Sequence, residues 1–461
     1  MTYDAIIIGG GVSGLATGYH LKAQGLNIKI IERQVRTGGN AVSQRIGGFL
    51  MEHGPSSLNV AATDTVNMSR ALGLDHDTRP LGDGVAKRYL VADGRMNAIS
   101  SHPLGFLLSN YLSVPARLRL IVEVLLTHRV NENDETVEEF SNRRFGREFT
   151  QRVIDPLVGG LYAGLASELS VQAVFPRFLE LERRYGSLVM AMLNSWIKNR
   201  RAPMRRLFSW KDGIGSLPAA LTRAISDDIA TGVGVKRVRR NGVGFCVDTL
   251  DGQSAQARSV IIATQPHVAA GLLAGLDAPS ADCTAALAAP PLAVAFLGYR
   301  REQVEHPLDG LGYLTPPGEG RNLSGALFCS TMFADRAPEG HVALSAYVGG
   351  ARAPDLARCP AKDIIAMVRE EFKDLLGAKG EPAVVHVRQW AQGLPQLTPN
   401  HNDRTKTLLG ISERVPGLYV TGNFLAGPAV TSCLSQATNT AARAAQFLAH
   451  DEQNAASMSV G

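Results

Sequence analysis

The chain reads as an α/β fold with α+β inserts, and three observations predict it. A short continuous apolar run, residues 4–8, is followed at once by Gly9, Gly11 and Gly14 and then by helical periodicity over 15–24. Apolar strand-like runs recur much later, at 232–238, 243–249, 259–263 and 417–421, so the opening unit is interrupted and resumed. Between these returns lie a stretch of helical stripes and a stretch of strands alternating with loops.

An apolar run without alternation suits a parallel strand covered on both faces. The G-x-G-x-x-G spacing gives each glycine a task. Gly9 permits a tight turn, Gly11 lets backbone approach a pyrophosphate, and Gly14 brings helix and strand into close packing. Val12 and Ser13 open the helix, whose free N–H groups and dipole favour an anion. Residues 27–31 form the next strand and end in Glu32, placed to accept the hydroxyls of an adenosine ribose. Strand, glycines, helix, strand and acid in register are far more specific than the glycines alone, and they define a Rossmann-type unit.

At 461 residues the chain has room for two or three domains. Its 45% apolar and 19% charged residues exclude a disordered chain and fit a globular enzyme. A net charge of +5 is too weak an argument for nucleic acid, and it suits an anionic substrate or an anionic membrane surface. Cys246, Cys283, Cys329, Cys359 and Cys433 are scattered without C-x-x-C spacing. That disfavours a disulfide framework, a zinc site or a dithiol centre, and points to a reducing, cytoplasmic setting with no metal. A strand beginning at Tyr3 leaves no basic region for a signal peptide, and no apolar run approaches the roughly 20 residues of a membrane span.

The expected division is a discontinuous nucleotide-binding domain (1–60, 205–268 and 405–449), a sheet-based substrate domain (61–103 and 269–404), a helical domain (104–204) and a disordered tail (450–461). Buried strands are expected over 292–299 and 342–348, and a last helix over 432–448. In the helical stretch Leu118, Leu120, Ile121, Val124 and Leu125 form an apolar stripe. It reads either as core faces of amphipathic helices or, with Arg117, Arg119 and His128 around it, as a membrane-surface helix pair. The basic run Lys198, Arg200, Arg201, Arg205 and Arg206 reads as a solvated connector, with anionic lipid contact as the alternative.

After Glu32 come Arg33 and the pair Gly38-Gly39, followed by Asn40, and then Glu52-His53-Gly54-Pro55-Ser56-Ser57. This arrangement resembles the FAD-dependent amine oxidase and protoporphyrinogen oxidase superfamily, in which the glycine pair is usually followed by a basic residue rather than Asn40. Further segments are similar to the oxygen-using protoporphyrinogen oxidases: 155–164 (DPLVGGLYAG), 311–316 (LGYLTP), 330–340 (STMFADRAPEG) and 348–352 (VGGAR). The resemblance implies FAD as cofactor, held by Gly9, Gly11, Val12, Ser13, Gly14, Glu32, Arg33, Gly38, Gly39, Asn40, Gly54, Pro55, Ser56, Ser57, Val235, Trp390, Gly422, Asn423 and Val430. It implies a tetrapyrrole substrate, with Leu314 and Phe333 against the macrocycle and Arg88 on a propionate, the guanidinium fork suiting a carboxylate. The resemblance implies flavin N5 as hydride acceptor with O2 regenerating it, and the lack of a side chain that stands out as a catalytic acid, base or nucleophile is consistent with that. Oxidation of protoporphyrinogen IX is the expected reaction. Coproporphyrinogen III, an amine or natural-product substrate, and a binding module without turnover are the alternatives. Pro428 and Ser432, and Leu397 and Asn400 within the stretch 395–401, depart from the family pattern near the flavin and substrate. Peripheral membrane contact and a homodimer are further expectations.

Overall fold

The computed structural model describes residues 2–59, 63–100, 103–126, 133–198, 207–242 and 244–459. His128, Val243 and the basic run at Arg200, Arg201, Arg205 and Arg206 lie outside the described residues. In chain order the elements that build the site are β1 (Thr2–Ile8), α1 (Val12–Ala23), β2 (Ile28–Glu32), β3 (Phe49–Glu52) and β4 (Lys87–Ala92). The helical stretch follows, including α2 (Val114–Val122) and α3 (Asp155–Tyr162). Then come β5 (Ile229–Thr231), β6 (Val235–Asn241), β7 (Gly244–Thr249), β8 (Ser254–Ile262), β9 (Leu292–Arg300), β10 (Gly310–Leu314), β11 (Leu323–Phe328) and β12 (His341–Gly349). The last are α4 (Ala361–Leu376), β13 (Val384–Trp390), β14 (Leu418–Val420) and α5 (Val430–Ser459).

The first sheet has the order β5-β2-β1-β8-β7-β6, with β14 also pairing β8. β1 lies parallel to β2 and to β8, from Thr2↔Gln256 to Ile8↔Ile262. β8 begins before the expected 259, and its first half pairs antiparallel with β7 while its last residues pair parallel with β14. The apolar runs are continuous because both faces are buried. Ala5, Ile7, Ile28 and Ile30 pack with Leu15 and with Leu434, Ala437 and Ala441 of α5. Ile6, Ile8, Ile31, Val260 and Ile262 pack with Leu272, Leu418 and Phe424 on the other side.

The second sheet has the order β13-β9-β12-β11-β10-β4 and ends in the short strand Arg95–Ala98. Its pairings are antiparallel except β4 with β10. Ala295, Leu297, Tyr313, Leu344 and Ala346 turn one face onto Ile364, Val368 and Phe372 of α4. The other face looks toward the first sheet and carries the site.

One expectation is corrected and one choice between readings is narrowed. α5 continues through Ser459, so the tail expected to be disordered from 450 is helical there. Arg258 fastens this end by donating to the Leu448 carbonyl and pairing with Asp451, and the following Glu, Gln and Ala residues are good helix formers. The stripe along α2 and the short turn Glu123–Leu125 that follows it is only in small part a core face. Leu120 is buried, while Leu118 (56% exposed), Ile121 (53%) and Leu125 (80%) face outward. Among the described residues no helix is long and apolar enough to cross a membrane.

Candidate active site

β1, β2, β8 and β14 all end on one side of the first sheet, so the residues that follow them line a common crevice, where open α/β sheets bind ligands. Gly9 (φ 112°) makes the turn out of β1. A Cβ on Gly14 would stand 1.9 Å from the Gly9 carbonyl oxygen, so only glycine lets α1 start this close to the strand. A Cβ on Gly11 would meet nothing within 4 Å, because the space in front of it is open crevice. α1 begins at Val12 and Ser13 with no side-chain cap, leaving its first N–H groups for an anion. The Gly38-Gly39 loop closes on this turn: Gly38 N–H donates to the Gly10 carbonyl, and Gly39 packs on Gly11.

Glu32 is held rigidly at the end of β2. Gly10 N–H reaches one carboxylate oxygen at 2.6 Å and Gln34 N–H the other at 2.7 Å. Val233 N–H donates to the Glu32 carbonyl, which brings the start of β6 and Val235 to the same end of the crevice. Arg33 is exposed, near Gly234. Arg36, which sequence reading passed over, is half-buried and donates to the Thr37 and Gly39 carbonyls. Gly54 abuts Asn40, whose carbonyl would lie 2.5 Å from a Cβ there, and Pro55, Ser56 and Ser57 continue half-buried. Gly422 and Asn423 follow β14, whose neighbour Thr421 carries a buried hydroxyl without a partner. Val430 is buried at the start of α5, and the Cys433 thiol one turn on contacts the Ser13 hydroxyl and is pushed up to about 11 by burial.

The register of the second sheet decides what faces this crevice. Arg388, Val294, Tyr347 and Gly325 are paired neighbours across β13, β9, β12 and β11. His386, Phe296, Ser345 and Leu327 form the adjacent row. Gly325 in turn pairs with Leu314, and Leu314 with Leu90. Arg88, two residues before Leu90 on β4, shares this face by the period-two rule. Arg88 and Leu314 are therefore brought together. Leu314 packs directly on α3, since a Cβ on Gly160 would come within 2.5 Å of its side chain. Arg88 is exposed and makes no ion pair among the described residues. Phe333 lies deeper than expected: it is 2% exposed, packed with Leu81, Met332 and Leu327 and stacked by the Arg336 guanidinium at 5.1 Å. It backs the wall beside Leu327.

Trp390 ties the two halves together by donating its indole N–H to the His53 carbonyl at 2.8 Å. Around this bond sequence reading missed a cationic cluster. The Arg388 guanidinium lies 4.1 Å over the Trp390 ring, and the His53 and His386 rings are 5.0 Å apart. Burial, followed by His386, Arg388 and Arg36, pushes His53 down to about 4. Burial and then Arg388 also lower His386 and Arg36. His53 Nε2 and Arg388 Nε are buried without partners. Below them Glu52 accepts from the Ser43 hydroxyl at 2.5 Å and the Ile214 N–H at 3.0 Å, and pairs with buried Arg336 at 3.4 Å. Burial pushes Glu52 up to about 7, against the pull of those donors. Burial raises the Tyr347 phenol above its ordinary value.

An uncapped helix start, a glycine-only cradle, a fixed acid and buried unsatisfied donors along one crevice fit an extended dinucleotide with a flat ring at the His53-to-Ser57 end. The fold and crevice define a flavin-dependent oxidoreductase whose cofactor is FAD. The chain belongs to the flavin-containing amine oxidoreductase family, which it matches over residues 12–446. It is 28% identical to the mitochondrial protoporphyrinogen oxidase of Nicotiana tabacum over 94% of this chain and 93% of that one. It is 25% identical to the coproporphyrinogen III oxidase of Bacillus subtilis (strain 168) over 94% and 95%. Among solved structures, the fold matches cyclohexylamine oxidase from Brevibacterium oxydans IH-35A with a TM-score of 0.72 at 16% identity, over 97% of this chain and 100% of that one.

Proposed function

We propose that this chain oxidises protoporphyrinogen IX to protoporphyrin IX in tetrapyrrole synthesis, with O2 as the final acceptor. The observation that carries the reading is the face of the second sheet: half-buried Leu314 and Leu327 form an apolar surface, with Arg88 at its edge and Leu90 buried behind under the helical stretch. A flat, apolar macrocycle with carboxylates on one side fits a wall of that kind, where few polar groups fix orientation. Bound FAD supplies the two-electron acceptor. The chain's own residues orient and exclude water. Leu314 and α3 would cover the macrocycle, and Arg88 would receive a propionate. The relatives named protoporphyrinogen oxidase and coproporphyrinogen III oxidase support a porphyrinogen. Arg88 standing alone at the edge favours the substrate with two propionates over the one with four.

Growth of porphyrin fluorescence from the FAD-loaded protein in air tests this, with protoporphyrinogen IX and coproporphyrinogen III in parallel. Faster turnover of the first is expected. Preference for the second transfers the enzyme to the coproporphyrinogen reaction, and rates no higher than autoxidation with both defeat the porphyrinogen reading.

The outward apolar residues of α2 and of the turn Glu123–Leu125 after it favour peripheral membrane contact as a second property. Co-flotation with anionic phospholipid vesicles, lost in Leu118→Asp/Leu125→Asp, is the expected result. Flotation unchanged by the substitutions contradicts it.

A further inference from the structure

Two arginines from distant parts of the chain come together at the glycine loop. Arg36 donates to the Thr37 and Gly39 carbonyls of its own loop, and Gly39 packs on Gly11 just before α1. Arg388 arrives from the edge strand β13. Its guanidinium lies 4.1 Å over the Trp390 ring, and that indole donates to the His53 carbonyl. His53 N–H in turn donates to the Val42 carbonyl, and Gly54 abuts Asn40. β13 is thereby laid against the residues that directly follow Gly38 and Gly39. The charges confirm the approach: after burial, Arg388 is the next influence lowering Arg36, and both arginines also lower His53.

Among the described residues neither arginine forms an ion pair. Glu32, the carboxylate that acts on Arg36, has both oxygens taken by the Gly10 and Gln34 N–H groups. Arg388 Nε is buried without a partner, and so is Nε2 of His53, which is 7% exposed. Like charges brought together away from water are unfavourable until an anion joins them. The crevice at this place already suits one, since Gly11 faces open space and the first N–H groups of α1 are uncapped. We propose that Arg388, together with Arg36, neutralises the diphosphate of bound FAD, so that the second sheet lends one side chain to the cofactor half of the site. A guanidinium fork matches phosphate oxygens as it matches a carboxylate. The diphosphate then turns a repulsion between β13 and the glycine loop into an attraction, and the cofactor fastens the two sheets to each other. This rests on FAD as the cofactor and not on the identity of the substrate.

The test is the affinity of the full chain for FAD and for ADP, which carries the diphosphate without the flavin ring, in the wild type, Arg388→Met and Arg388→Lys. FAD affinity is read from the flavin released on serial dilution of the loaded protein, and ADP affinity from the concentration that displaces FAD. Met keeps an apolar contact with Trp390 and removes the charge, whereas Lys keeps the charge. The expected result is a loss of roughly tenfold or more in both affinities for Arg388→Met, with Arg388→Lys within about threefold of wild type. Unchanged FAD affinity in Arg388→Met overturns the proposal. So does weaker FAD binding with ADP binding unchanged, which moves the charge to the flavin end of the cofactor. An equal loss in Arg388→Lys also overturns it, because the guanidinium then serves its stack on Trp390 rather than an anion. A wild type that binds no FAD sinks the cofactor assignment itself, a separate failure visible before any variant is made.

Discussion

The crevice of the first sheet and the facing surface of the second are two halves of one site, built by opposite means. The crevice is mostly backbone: a glycine turn, an uncapped helix start and a loop with two left-handed glycines (Gly38, φ 94°; Gly39, φ 57°), with the Glu32 carboxylate fixed at its edge. The facing surface is side chain throughout, contributed by six strands whose register alone puts Arg388, Val294, Tyr347, Leu327, Leu314 and Leu90 on the same side. The difference teaches which half sets the cofactor and which sets the substrate. A backbone cradle tolerates almost no side chain and little change of ligand. A side-chain wall can be altered one residue at a time without loss of the fold.

Gly14→Val breaks the first half most sharply. Its Cβ would lie inside van der Waals contact with the Gly9 carbonyl, so the protein should lose its yellow colour on gel filtration and at least about 3 kcal/mol of stability. Leu314→Ala in the second half should keep its full flavin content and lose turnover instead. Equal flavin loss in both variants would erase the distinction. Next in size is Arg336→Met, which strands buried Glu52 beneath the junction of the two halves. A fall of about 3 kcal/mol in denaturant unfolding is expected, with most of it recovered in the Glu52→Gln/Arg336→Met double variant.

A smaller effect belongs to His53. Its folded value near 4 lies below its ordinary 6.5, so the unfolded chain binds more protons between those values. The stability it contributes is complete above pH 6.5 and is lost as pH falls toward 4, to a ceiling of about 3 kcal/mol at 1.36 kcal/mol per unit. His53→Gln should flatten the Tm profile in that window, and an unaltered profile would show that other groups titrate there. The smallest is Arg88→Ala, expected to leave Tm within error while lowering kcat/KM by roughly tenfold to a hundredfold, the worth of one charged hydrogen bond. A matching fall in Tm would mark Arg88 as structural.

Legibility in the sequence follows the same divide. The crevice was readable because its parts are contiguous and its glycines answer to geometry, as the 1.9 Å approach at Gly14 illustrates. The cluster around Arg388 was not, because Arg388 and His386 lie hundreds of residues after Arg36 and His53 and meet them only through the placing of β13. A signal was present all the same. In β13, His386, Arg388 and Trp390 alternate with Val385, Val387 and Gln389, and the alternation puts the histidine and the arginine on the side of the tryptophan already singled out. Phe333 was placed correctly in the chain but not in depth, since nothing local announces that Leu81 and Arg336 cover it. The outward stripe of α2 was one of two readings that periodicity by itself leaves open. An amphipathic helix presents the same pattern whether its apolar side meets a core or another surface.

The most direct measurement of whether the two halves act as one site is a single-turnover experiment without oxygen. FAD-loaded protein is mixed with protoporphyrinogen IX, and the visible absorption of the flavin is followed together with porphyrin fluorescence. Bleaching of the flavin in step with the appearance of porphyrin, reversed on admitting air, is the expected result. Flavin that stays oxidised while porphyrinogen persists would contradict the joining of this crevice to this substrate wall.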